Sequence, residues 1–258
     1  MDGKPSGARR ARRGMALVCL ALAGAAASGG GADAAAAEAS DGYEPKAPPS
    51  MPLAWTRGDV RGLALRPNDA PAARPPIVLL HGRCGHVQNA CSEFRDAAHP
   101  FGWLVCPSAN ARCPGGGASW SGDTREKQAM VDAAIAEVAD RAKGEIDPAA
   151  PGLLIGFSQG AYVGLDLALH HPGKYRALLL IGAEVAPPAA ALRAAGIRRV
   201  VLAAGAYDAA RPAMDESATK LARDGYPARF VSLGAVGHTY VPEKASVLDE
   251  AVAWLEAP

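Results

Sequence analysis

From Pro76 onward, short unbroken apolar runs alternate with stretches whose apolar residues recur at helical spacing. Ile77-Val78-Leu79-Leu80 is ended by His81-Gly82, and Gly102-Trp103-Leu104-Val105-Cys106 is stopped by Pro107. Leu153 to Phe157, Ala177 to Ile181, Val200 to Ala203 and Arg229 to Leu233 complete the set. Runs this short and this uniformly apolar predict parallel strands buried on both faces. Between them, Val131, Ala134, Ile135 and Val138 fall at i, i+3, i+4 and i+7, and Asp123 with Glu126 offers a capping box at the start of that helix. Leu165, Ala168 and Leu169 share a face in the stretch Ala161 to His171. Val247, Leu248, Ala251, Trp254 and Leu255 repeat the spacing near the C-terminus, where Pro242 suits a helix start. Trp55 to Leu65 predicts one or two antiparallel strands at an edge. The fold class expected is α/β, a doubly wound, mostly parallel sheet with helices on both faces. In such sheets ligands sit beyond the carboxyl ends of the strands, which directs attention to the loops there.

The N-terminus breaks this pattern. Lys4, Arg9, Arg10, Arg12 and Arg13 precede an apolar run from Met15 to Ala27, and small residues follow. A run of this length is too short to span a bilayer of ~30 Å, but it suits the core of a signal peptide. The expectation is therefore a signal peptide over residues 1–27 and a flexible low-complexity linker over 28–50. A domain over 51–258 follows, with export to the periplasm or the exterior and no stable membrane span in the mature form. A buried alanine-rich helix is the competing reading. The arginine pairs fit a twin-arginine signal poorly, and Cys19 falls inside the segment expected to be removed.

Charge sharpens the picture. The whole chain has 27 Lys+Arg against 26 Asp+Glu, but removal of the leader leaves 22 against 25, near −3. A mildly acidic domain lacks the basic footprint of a nucleic-acid partner. Alanine supplies nearly half of the 49% hydrophobic fraction, so helix propensity resting on alanine alone is discounted.

With Cys19 set aside, Cys84, Cys91, Cys106 and Cys113 remain, an even number that in an exported protein reads as two disulfides. The equal gaps favour the local pairings Cys84–Cys91 and Cys106–Cys113, with cross-links between the two segments as the alternative. Zinc, with His81 and His86 as helpers, is disfavoured because no C-x2-C spacing is present. No metal site is expected.

Gly156-Phe157-Ser158-Gln159-Gly160 matches G-x-S-x-G. The motif alone is short, but it follows an apolar strand and precedes a helical stretch. In that context the glycines clear a sharp turn and raise Ser158 over the sheet edge. Together with Leu80-His81-Gly82, Asp208 and Gly237-His238 in this chain order, the sequence over residues 76–258 resembles the α/β-hydrolase superfamily. Within it the likeness is to single-domain carboxylesterase, acyl-thioesterase and dienelactone-hydrolase-like groups. The resemblance implies an eight-stranded or slightly shorter sheet and a Ser–acid–His triad. Dienelactone hydrolases usually carry Cys at the elbow, so Ser158 favours the esterase side.

A serine hydroxyl needs a base to take its proton, and the base needs an acid to orient it. Ser158, His238 and Asp208 are the expected nucleophile, base and acid, with Glu184 in reserve. His170 and His171 read as helix C-terminal groups, and His81 as a brace at a strand end. The oxyanion donors expected are the backbone N–H groups of Gln159 and, from the His-Gly-x pattern, Arg83, with Cys84 as fallback. A disulfide at Cys84 would then rigidify the oxyanion loop. Only Gly182 to Arg199 separates two strands where related families insert a cap, so no large cap domain is expected and the site should be open. Ser108 to Gly122, rich in glycine, is expected to form either a mobile wall with Trp120 against an acyl group or a solvent-exposed loop.

The function expected is an exported serine hydrolase that cleaves carboxylic esters through an acyl-enzyme, acting on a small-molecule or acyl ester and needing no cofactor. A peptidase or polyester depolymerase on the same scaffold, and a non-catalytic binding protein, are the alternatives.

Overall fold

The computed structural model describes residues 51–67 and 72–258. The expected signal peptide, the linker and Cys19 lie outside the described residues. The element order is β1 (Leu53–Arg57), β2 (Val60–Leu65), β3 (Ile77–Leu80), α1 (Val87–Glu93), α2 (Arg95–Ala98), β4 (Leu104–Pro107), β5 (Ala111–Arg112), β6 (Ala118–Ser119) and α3 (Thr124–Ala142). It continues with β7 (Gly152–Phe157), α4 (Gln159–His170), β8 (Tyr175–Ile181), α5 (Ala189–Ala194), β9 (Arg199–Ala204), α6 (Arg211–Arg223), β10 (Ala228–Ser232) and α7 (Ser246–Glu256).

Among the described residues the main sheet has eight strands in the order β1-β2-β4-β3-β7-β8-β9-β10. The hairpin β1–β2 pairs antiparallel and joins β4 antiparallel; from β4 through β10 every pairing is parallel. The short β5–β6 ribbon stands apart. Each run expected to be a strand is one, with ends shifted by a residue or two.

The uniform apolarity of the central strands follows from their position. Val78, Leu80, Leu154, Leu178, Leu180, Val200 and Leu202 pack on one face with α3, α4, α5 and α6. Their chain neighbours Ile77, Leu79, Leu153, Ile155, Leu179, Ile181 and Val201 pack on the other with α1, α2 and α7. With alternate side chains buried on opposite faces, neither face of these strands tolerates a polar residue. Truncating one of these leucines to alanine costs about 2–5 kcal/mol.

α3 begins at the expected capping box: the Asp123 side chain accepts from the Glu126 N–H, and the Glu126 side chain accepts from the Asp123 N–H. α7 starts at Ser246, so Pro242 lies four residues outside it and does not open the helix. Between β8 and β9 the chain makes only the six-residue α5, whose Leu192 is buried against the sheet. No cap domain interrupts the fold there.

Candidate functional site

β7 lies at the centre of the sheet, and at its carboxyl end the chain turns sharply into α4. Ser158 occupies that turn with φ 52° and ψ −118°, a backbone conformation that costs a non-glycine residue about 1–3 kcal/mol. The flanking glycines make the turn possible. A Cβ at Gly156 would overlap the Gly160 carbonyl oxygen, and one at Gly160 would overlap that of Leu80. The turn is tied down by the Ser158 N–H, which donates to the Ile181 carbonyl at 2.8 Å.

Two loops from neighbouring strands complete a hydrogen-bonded chain. His238, after β10, places Nε2 3.0 Å from Ser158 Oγ. Its Nδ1 lies 2.9 Å from Asp208 Oδ2, after β9. The other carboxylate oxygen of Asp208 accepts the Ala210 N–H at 2.9 Å, so both oxygens are engaged and the buried carboxylate has one orientation. The His238 side chain is 51% exposed and leans on the Phe157 ring, centroid to centroid 5.0 Å, with Tyr240 edge-on to that ring at 4.9 Å. The acid that meets His238 is Asp208 and not the reserve Glu184. Glu184 is exposed after β8, and its backbone N–H donates to Tyr162 Oη. His170 and His171 close α4, as their place before Pro172 suggested.

On the other side of Ser158 lies the loop after β3. Gly82 packs so closely that a Cβ there would come within 3.2 Å of Ser158 Cβ. The Gly82 carbonyl accepts from the Gly85 N–H at 3.0 Å and from His81 Nδ1 at 2.8 Å. Because a peptide's C=O and N–H point in opposite directions, fixing the Gly82 carbonyl fixes the direction of the Arg83 N–H. The Cys84 N–H is engaged, donating to Ser119 Oγ at 3.2 Å, which removes it as the fallback oxyanion donor. The N–H groups of Arg83 and Gln159 have no acceptor among the described residues.

Comparisons with known proteins bear on this arrangement. No protein-family model matches the chain, and no curated protein matches it. Solved structures do. The chain is similar to esterase PE8 at 25% identity, with 75% of this chain and 96% of that one covered and a TM-score of 0.56. The carboxylesterase of Bacillus cereus aligns at 16% identity over 78% of this chain and 95% of its own, with a TM-score of 0.56. The fluorophosphonate-binding serine hydrolase FphF of Staphylococcus aureus aligns at 13% identity over 81% and 98%, with a TM-score of 0.58. The fold is that of the α/β-hydrolase superfamily.

Within the α/β-hydrolase framework, two sequence expectations are corrected. The disulfides are not local: Cys84 pairs with Cys113 and Cys91 with Cys106, with Cα atoms 5.6 Å and 6.0 Å apart. The reason is α1, a helix too short to announce itself in the sequence. It turns Cys91 away from the loop and onto the buried face beside Cys106 of β4, leaving Cys84 to the β5–β6 ribbon. The cysteines that a zinc site would have used are thereby consumed.

The second correction concerns Trp120. It is no wall over the cleft but a buried brace, 4% exposed. Its indole N–H donates to the His81 carbonyl at 2.8 Å. Its backbone is clasped by the Gln159 side chain, the Trp120 N–H donating to Oε1 at 3.0 Å and Nε2 donating to the Trp120 carbonyl at 3.1 Å. His81 is itself buried, its Nε2 accepting the Ala109 N–H at 3.2 Å, which makes it a neutral imidazole protonated at Nδ1. Burial holds its pKa below the ordinary value, aided by the nearby His86 and opposed by the bond to Gly82. The sequence marked His81 as a brace, but nothing in it indicated that the Gln159 side chain clasps the ribbon.

The cleft above Ser158 has a volume of about 280 Å³ and is lined by Arg83, Ser158, Gln159 and Tyr162. A larger hollow of about 390 Å³ lies behind the loop, lined by Trp55, Arg61, His86 and Ser108 among others, and contains none of the triad residues. Among the described residues no helix is long and apolar enough to cross a membrane.

Proposed function

We propose that the protein is an exported serine hydrolase that cleaves carboxylic esters through an acyl-enzyme. The observation that carries the reading is the unbroken chain from Ser158 Oγ through His238 to the buried carboxylate of Asp208, at 3.0 Å and 2.9 Å, on a strained strand-to-helix turn. His238 Nε2 takes the proton of Ser158 as Oγ attacks the ester carbonyl carbon. Asp208 holds the ring with its proton on Nδ1 and stabilises the imidazolium that forms. The carbonyl oxygen, now an anion, meets the unengaged N–H groups of Gln159 and Arg83. Collapse expels the alcohol with the proton from His238 and leaves Ser158 acylated. A water then repeats the sequence, giving its proton to His238, and releases the carboxylic acid and free Ser158.

The names of the structural relatives support the ester class: an esterase, a carboxylesterase and a fluorophosphonate-binding serine hydrolase. Two disulfides support an oxidising compartment, in keeping with a leader that is removed on export. The test is incubation of the folded protein with a fluorophosphonate, followed by mass spectrometry. Covalent label is expected on Ser158 and none on a Ser158→Ala variant. Absence of label from folded wild-type protein defeats the reading. Parallel assays with esters, thioesters and peptide amides sort the acyl class, and cleavage confined to amides would replace the esterase with a peptidase.

A further inference from the structure

We infer that the Arg83 side chain selects esters carrying a second, anionic group, a carboxylate on the far end of the acyl chain. This rests on the ester-hydrolase reading above and names the substrate class of that same site. Arg83 is an exposed residue that lines the cleft over the nucleophile with Gln159 and Tyr162, and its backbone N–H is one of the two unengaged donors beside Ser158. The guanidinium has no hydrogen-bond, ion-pair or ring partner among the described residues. By contrast, Arg176 is held by Glu256 and the Pro151 carbonyl, and Arg199 by the carbonyls of Trp254 and Pro258. A permanently charged planar fork with its donors unspent, at the mouth of an ester site, matches the geometry of a carboxylate.

The carrier of this charge is rigid. The adjacent Cys84 has φ 55°, is bonded to Cys113, and donates its N–H to Ser119 Oγ. Arg83 is therefore displayed from a fixed backbone, which limits the ordering cost of forming an ion pair. The other charged groups nearby do not neutralise it: Asp208 is buried and engaged with His238, and Glu184 stands beyond Tyr162 without pairing to Arg83. Tyr162 and Tyr207 are large apolar side chains left exposed, 49% and 76%, the first in the cleft and the second beside Asp208. Tyr162 gives the body of an acyl chain an apolar surface in the cleft, while the guanidinium takes its charged end.

The test compares three para-nitrophenyl esters of one chain length: the monoester of adipic acid, its methyl-capped neutral analogue, and an analogue ending in an ammonium group. Wild-type protein is expected to favour the carboxylate over the neutral ester by about tenfold in kcat/KM, chiefly through KM, and to disfavour the ammonium ester. The preference should shrink as salt is raised. Arg83→Met should bring the carboxylate-to-neutral ratio to about one, Arg83→Lys should keep part of it, and Arg83→Glu should invert it toward the ammonium ester. The ratio is the readout, so a general loss of activity in these variants does not obscure it. Equal kcat/KM for the carboxylate and neutral esters in wild-type protein, or an unchanged ratio in Arg83→Met, overturns the inference. Cleavage of the neutral ester and fluorophosphonate labelling of Ser158 show separately whether the hydrolase reading stands. If both are absent, that reading fails and takes this one with it; if both are present without a carboxylate preference, only this one fails.

Discussion

The two sides of Ser158 are built by opposite means. The loop after β3 is braced from every direction, by the Cys84–Cys113 disulfide, the Ser119 hydroxyl, the Trp120 indole, the Gln159 amide and the buried His81. The loops bearing Asp208 and His238 carry no covalent link, and His238 is half exposed, held by two hydrogen bonds and the Phe157 ring. The difference matches the roles proposed for the two sides. An oxyanion donor is a backbone N–H with no rotamer of its own, so its aim is set only by fixing the peptide that carries it. A base is a side chain with rotamers, and two partners in line are enough to orient it. Preorganisation of the donor side is where small displacements weaken transition-state stabilisation most.

The largest effect should come from the unbraced side, where orientation hangs on single bonds. Asp208→Asn keeps an oxygen to accept the Ala210 N–H and so should keep the fold. It replaces the acceptor at His238 Nδ1 and lets the wrong tautomer form. Ester kcat is expected to fall by about three to four orders of magnitude with little change in the unfolding midpoint. A loss below tenfold would mean that His238 is oriented without its acid.

The braced side is tested by comparing its two disulfides. They enclose nested loops, with separations of 29 and 15 residues, so removing either should cost about 3–4 kcal/mol of stability by loop entropy. Their effects on catalysis should differ. Replacing Cys84 and Cys113 together by serine frees the peptide next to the Arg83 donor, and kcat is expected to fall by roughly tenfold or more at a temperature where the protein remains folded. Replacing Cys91 and Cys106 together by alanine, in the core behind α1, should leave kcat within about twofold. Equal losses in both variants would show that the two bridges serve stability alike and that the loop needs no covalent brace.

How far these roles were legible in the sequence follows the same division. Ser158, Asp208 and His238 each follow a short apolar run, and a run buried on both faces can be read without knowing its neighbours. The brace was legible only in part. His81 could be assigned to a strand end from Leu80-His81-Gly82, but disulfide pairing depends on which segments lie side by side. The equal gaps between cysteines carry no information about that. α1 spans seven residues, less than the stretch over which helical periodicity stands out, so the turn that takes Cys91 to Cys106 was hidden. Trp120 looked like a cleft wall because glycine precedes it in the chain. Its indole N–H needs an acceptor, however, and the His81 carbonyl provides one in the interior.

Trp120 therefore offers a smaller and more selective test. Trp120→Phe keeps an aromatic ring against His81 but deletes the N–H that holds the His81 carbonyl. Stability should drop by about 1–2 kcal/mol and kcat by about threefold to tenfold, with the ranking of acyl chain lengths unchanged. A changed chain-length ranking would return Trp120 to the cleft wall.

The smallest effect expected is a pH dependence of the brace itself. His81 is neutral in the fold because burial lowers its pKa below the ordinary histidine value, with the nearby His86 pushing the same way. Protonation would set an N–H at Nε2 against the Ala109 N–H it now accepts, two donors face to face. The unfolded chain takes up that proton near the ordinary histidine value and the folded chain only at lower pH. The stability that depends on neutral His81 is thus complete above about pH 6.5 and is lost as pH falls below it, with a slope of at most about 1.4 kcal/mol per pH unit. His81→Asn keeps a donor toward the Gly82 carbonyl and has no proton to gain. Urea unfolding of both proteins from about pH 7.5 to about pH 5.5 should show the wild-type advantage shrinking as pH falls. A constant difference across that range would mean that His81 is not held neutral, and that the aim of the Arg83 donor does not depend on its protonation state.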